Sequence, residues 1–157
     1  MMTDVAFHTP PSTPVWGAAS SAHFLVPIAR AIFAALFVMT AMGQFTPAAI
    51  EYAQTAGVPF ARLLVPVSGV IATIGGLSVL FGYRAKLGAL LILVFIVPVT
   101  LVMHDFWTLA DPVAQQAQLA MFLRNLAIAS GALVVLRFGA GPLSVDELRG
   151  TPVAREA

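Results

Sequence analysis

Between Leu63 and Met103 the chain reads LLVPVSGVIATIGGLSVLFG, then YRAK, then LGALLILVFIVPVTLVM. Two uncharged apolar runs, Leu63–Gly82 and Leu87–Met103, therefore flank the short basic turn Tyr83–Lys86. Each run approaches or reaches the ~20 residues an α-helix needs to cross the hydrocarbon core of a bilayer. Working outward, two further runs of the same kind appear, Phe24–Gly43 before this stretch and Leu119–Phe138 after it. Most of the Pro residues and all of the Asp, Gln and His residues fall outside the runs. The expectation is an all-α integral membrane protein, a bundle of four transmembrane helices.

Composition agrees with that solvent. Hydrophobic residues make up 59% of the 157 residues and charged residues 10%, with a mean hydropathy of +0.92. A soluble domain lies nearer ~45–50% apolar and ~25% charged, so these charges are too few to cover a surface facing water. The net charge of +1 comes from scattered basic residues, which gives no footprint for nucleic acid. The chain has no cysteine, which excludes a disulfide framework, an iron–sulfur cluster and a thiol–disulfide active site. Residues 1–23 read as a flexible N-terminal tail, 24–138 as the transmembrane domain and 139–157 as a C-terminal tail. The first 22 residues hold no Lys or Arg and carry Pro10, Pro11 and Pro14, so the first run reads as a retained helix and not as a cleaved signal.

Basic residues near the ends of crossings favour the cytoplasm. Four crossings put Arg84, Lys86, Arg149 and Arg155 on one side with both termini, and Arg137 at its edge, against Arg62 on the other. Both termini are therefore expected in the cytoplasm. The longer connections, Gln44–Arg62 and His104–Gln118, then share the opposite side. In the first, Ala48–Ala56 reads as a short interfacial helix carrying Glu51 and Tyr52. In the second, Phe106 and Trp107 fit an aromatic belt, and Asp111-Pro112 reads as a helix start, with Asp111 as N-cap and Pro112 at the first position.

Side chains able to do chemistry are few. Arg30 and Arg124 lie inside crossings, where an ionisable group is costly and needs a partner or a route to the interface. For Arg124 the expected partner is a carboxylate on its own side, Asp105 first, then Glu51 or Asp111. Such a pair offsets desolvation and can also bind an anionic or carbonyl-bearing ligand. His104-Asp105 can carry a proton or orient a head group. One His and one Asp fall short of a metal site, and His8 and His23 belong to the other side in this topology. The bland alternatives are anchoring for the arginines and an interfacial structural role for His104. Ala72-xxx-Gly76 with Gly69 and Thr73, Ala127-xxx-Gly131 and Ala31-xxx-Ala35 are spaced for close helix packing. Pro66 and Pro98 are placed to bend their helices. No P-loop, dinucleotide fingerprint or HExxH occurs. Haem lacks an axial His within a crossing, and a proton-driven transporter lacks an acidic residue there.

Several segments in this order resemble the DoxX family of small bacterial four-helix membrane proteins. They are Arg30 with Ala34-Ala35-Leu36-Phe37, then Ala56-Gly57-Val58-Pro59, and Gly75-Gly76-Leu77 to Gly82-Tyr83-Arg84. His104-Asp105-Phe106-Trp107, Phe122 to Ala127 and Gly139 to Asp146 complete the set. Two positions depart from the family pattern, Ala72 where many relatives have Glu and Arg124 where Lys is common. The resemblance implies an inner-membrane subunit or accessory protein of a quinone-linked oxidoreductase system, with quinone as ligand and a redox protein or a second copy as partner. His104, Asp105, Trp107, Arg124 and Asn125 form the candidate ligand site, with Glu51 and Asp111 as secondary candidates and no metal. Arg124 and Asn125 would bond a quinone carbonyl, Trp107 would wall the ring, and Asp105 would orient His104 for proton exchange. Two readings compete with this one, a small-molecule transporter and a structural membrane anchor for a partner protein.

Overall fold

The computed structural model describes residues 24–150; the leading segment with His8 and His23, and Arg155 at the other end, lie outside them. Four long helices are apolar enough to span a membrane: α1 (Leu25–Gly43), α3 (Ala61–Phe81), α4 (Ala85–Met103) and α5 (Pro112–Phe138). A short α2 (Pro47–Thr55) and a 3-10 turn (Phe106–Thr108) fill the two connections at one end of the bundle, and a one-turn α6 (Val145–Leu148) lies at the other. Thr46 caps α2 by accepting from the Ala49 amide (3.3 Å), and Pro47 supplies the fixed φ of a first helical position. Asp111 likewise caps α5, accepting from the Val113 and Ala114 amides at 3.4 and 3.1 Å. Helix α5 thus runs unbroken from Pro112, well before the apolar run that begins at Leu119. Gln115, Gln116 and Gln118 are its first turns, because a good cap with Pro behind it starts a helix whatever the polarity of the next residues.

Packing runs α1 on α3, α3 on α4 and α4 on α5, while α1 and α5 touch sparingly, Phe33 lying against Gly131. Helix α3 is central because Gly75 and Gly76 serve two neighbours. A Cβ on Gly75 would sit 2.9 Å from the Gly88 carbonyl oxygen of α4, and one on Gly76 would sit 3.0 Å from Phe37 Cβ of α1. Close backbone approach of this kind supplies association energy where no hydrophobic difference exists between lipid and side chain. Phe37, Ala72, Val79, Ala89, Ile92 and Ala132 fill the core between the helices. On α3 the anticipated small face, with Gly69, Ala72 and Gly76, is buried. On α1 it is not: Ala31 and Ala35 are exposed, and Ala34, Phe37 and Ala41 face the bundle instead. Two frames of small residues exist in that helix, and only the one carrying Phe37 offers a ring to the Gly76 gap.

Residues 139–149 fold back over the end that holds the α3–α4 turn. Gly82 there has φ +63, and a Cβ on it would collide with Ser144, so both backbone sign and space call for glycine. The turn leaves the first amides of α4 without helical partners, and Asp146 satisfies them from 61 or 62 residues away. Its carboxylate accepts from the Arg84 amide at 2.8 Å and the Ala85 amide at 3.0 Å, while its own amide donates to the Gly82 carbonyl. Arg30, buried in α1, reaches the same segment. Its guanidinium donates to the carbonyls of Ala140 (2.8 Å), Pro142 (3.4 Å) and Leu143 (2.8 Å). These carbonyls follow the end of α5 and have no helical donor, so the arginine offsets what an irregular backbone would cost at the edge of a membrane.

Candidate functional site at the α2 end of the bundle

Helix α2 lies across the ends of α3 and α4. Ala53, Ala61 and Val65 form a small core of their own there, joined by Ile50 and Met103. Beneath α2 is a cavity of about 500 Å³, walled by α3 and α4 and open at their surface. Its apolar wall includes Leu64, Val67, Val94 and Val102, each exposed on the outer faces of the two helices. Pro98 lies in the same wall and has no N–H to offer the carbonyl four residues back, which belongs to Val94. Gln44, Tyr52, Ser68 and His104 supply its polar side chains, and no Asp, Glu, Lys or Arg lines it.

His104 closes α4 and is held from α5: its Nδ1 lies 2.7 Å from Gln118 Oε1. The Gln118 amide nitrogen donates in turn to Tyr52 Oη at 3.5 Å, so α2, α4 and α5 meet through one polar chain. Sequence reasoning passed over Gln118 as a site residue. Its signal was a stripe on α5: Gln118, Phe122, Asn125, Ala129 and Ala132 recur at helical spacing, and each is buried or half-buried.

The five expected ligand residues are not gathered into one place. His104 alone lines the cavity. Asp105 turns away from it, its carboxylate accepting from Thr108 Oγ1 at 2.9 Å, so it stabilises the 3-10 turn while Gln118 orients the histidine. Trp107 belongs to an edge-to-face aromatic cluster, with ring centroids 5.1 Å from Phe106 and 6.0 Å from Phe122. Asn125 is 5% exposed on the inward face of α5, and its side chain makes no hydrogen bond among the described residues. Of the secondary candidates, Asp111 is occupied as a cap and Glu51 is exposed on α2. The expected Arg124–carboxylate pair is absent. Arg124 is exposed on α5 and makes no ion pair with Asp105, Glu51 or Asp111. Helical phase explains this, since Asn125 takes the inward position and turns its neighbour outward by about 100°. Arg124 lies about 9 Å along the helix from Gln118, within reach of the interface for a long side chain that extends toward water.

Comparison with known proteins places this arrangement. A sequence profile of the SURF4 family matches residues 26–151, which takes in all four spans and the folded-back segment. The chain belongs to the SURF4 family. It is also similar to the inner membrane protein YqjF of Escherichia coli (strain K12), 29% identical over 123 residues that cover 77% of this chain and 88% of the relative. No solved structure matches it. With its four apolar spans, this SURF4-family chain is a multi-pass protein of the bacterial inner membrane.

The family match overturns the DoxX resemblance. Several of the segments behind that resemblance serve packing and backbone satisfaction in this bundle. Gly75-Gly76 admits two neighbouring helices, Gly82 permits the α3–α4 turn, and Arg30 bonds the carbonyls after Gly139. A membrane bundle of this connectivity needs such residues whatever it does, so their order reports architecture more than lineage.

Proposed function

We propose that this SURF4-family protein binds a neutral-headed amphiphile from the membrane in the cavity beneath α2. The observation that carries the reading is the cavity's lining: apolar walls open to the lipid-facing surface, polar side chains from Gln44, Tyr52, Ser68 and His104, and no charge. A volume of about 500 Å³ lies within the range of small-molecule sites. An anionic head would lack a cationic partner there, and burying an unpaired charge is prohibitive. An isoprenoid quinone has the required form, as do other neutral lipids with a compact polar head. An oxidoreductase role would need a redox partner to meet this end of the bundle. The quinone-specific reading drew on the overturned resemblance and on polar and aromatic residues expected at one mouth, of which His104 alone lines the cavity, so the chemistry of the cavity carries the broader one.

The test is extraction. Protein purified in mild detergent without added ligand is extracted with organic solvent, and neutral amphiphiles, quinones included, are measured by mass spectrometry. Ser68→Trp should fill the cavity and lower the retained amphiphile about tenfold, while Leu126→Trp, on the exposed face of α5, should leave it unchanged. Equal retention in both variants would defeat the reading. The identity of the retained molecule decides between a quinone and another neutral lipid.

A further inference from the structure

His104, Gln118 and Tyr52 give the cavity a hydrogen-bond polarity. Gln118 Oε1, 2.7 Å from His104 Nδ1, can only accept, so Nδ1 carries the proton of this contact. In the neutral ring the other nitrogen, Nε2, is then a bare acceptor. It has no partner among the described residues, although His104 lines the cavity. Tyr52 Oη accepts from the Gln118 amide, which leaves its own O–H as a donor. Where His104 meets Tyr52, the cavity therefore offers a ligand an acceptor at His104 and a donor at Tyr52, with the Gln44 amide and the Ser68 hydroxyl elsewhere in the lining. A carbonyl or an ether can use donors but leaves the His104 acceptor unpaired; a hydroxyl can serve both.

We infer that the site selects a neutral amphiphile whose head carries a hydroxyl, an alcohol or a phenol, that donates to His104 Nε2. The inference rests on the binding role proposed for the cavity and narrows its ligand to a hydroxyl-bearing class, a quinol over a quinone among redox lipids. A site built around a hydroxyl discriminates against analogues without one, because they leave a polar group of the site unpaired.

A matched pair of probes tests this. The full-length protein in detergent micelles is titrated with 12,12,12-trifluorododecan-1-ol and with its methyl ether, and binding is followed by fluorine NMR, with Ser68→Trp defining the background. The alcohol should bind about tenfold tighter than the ether. In Gln118→Leu the imidazole is free to present Nε2 as a donor, and the preference should shrink to about twofold. Equal affinity for the two probes in the wild type would overturn the hydroxyl inference while leaving the cavity reading standing. Loss of specific binding for both would overturn the two together. Nitrogen NMR of the histidines, assigned with His104→Asn, gives an independent check that does not depend on ligand binding. A protonated Nδ1 and a bare Nε2 are expected at His104, and the opposite tautomer would reject the inference.

Discussion

Two arginines inside the spans behave in opposite ways. Arg30 is buried and spends its planar fork on three backbone carbonyls, whereas Arg124 reaches outward with no protein partner among the described residues. Arg30 is therefore structural, and its removal strands acceptors that lipid cannot satisfy. Arg30→Met should lower stability by about 3 kcal/mol, and Arg30→Lys should recover only part of it, since an ammonium cannot reproduce the fork. Thermal unfolding in detergent measures the loss. Hydrogen exchange should quicken at the amides of Leu143, Glu147 and Leu148, which are bonded in the segment Arg30 holds. Unchanged melting together with unchanged exchange would contradict the role.

Both α4 and α5 start on an aspartate, but from different distances. Asp111 caps the helix it precedes, a local device visible in the order Asp-Pro followed by helix formers. Asp146 caps α4 from the far end of the chain. Asp111→Ala should cost about 1 kcal/mol and fray the first turn of α5. Asp146→Ala should cost at least as much, because it frees the Arg84 and Ala85 amides at the start of α4 and also loosens the folded-back segment. The two effects separate by cysteine labelling. A probe at position 114, half-buried in the capped first turn, should become more reactive in the first variant, and one at position 144 in the second. An Asp146→Ala protein with full stability and a protected position 144 would show that the remote cap contributes nothing.

The bundle gathers its charges at two ends of different character. One end carries Arg30, Arg84, Lys86, Arg137 and Arg149 with Asp146 and Glu147; the other carries Glu51, Arg62, Asp105 and Asp111, with Arg124 reaching toward it along α5. Excess Lys and Arg mark the cytoplasmic side, so we propose that the folded-back segment lies inside and α2 with the cavity mouth outside. The absence of native cysteine makes this directly measurable. In intact cells an impermeant thiol reagent should label a cysteine at position 110 and spare one at position 85. The reverse pattern would turn the protein over and put the cavity mouth on the cytoplasmic side.

Much of this protein was written in one dimension. The four spans followed from run length and apolar content, because a bilayer admits few other ways to satisfy a backbone. The two caps beside prolines, Thr46 and Asp111, were local enough to leave a signature, which Asp111-Pro112 showed openly. Helical phase and contacts between distant segments were less legible. Whether Arg124 or Asn125 faces inward depends on the rotation of α5 against the bundle, which the packing of Ile128, Ala129 and Ala132 on the core sets. Gln118, and not the adjacent Asp105, holds His104, because the connection between α4 and α5 turns the carboxylate back onto Thr108. The sequence by itself determined the solvent, the number of crossings and where most helices begin. Only the tertiary structure decided which polar groups meet, since hydrogen bonds need atoms within about 3 Å, whereas Arg30 finds its partners 110 to 113 residues away and Asp146 caps amides 61 or 62 residues away.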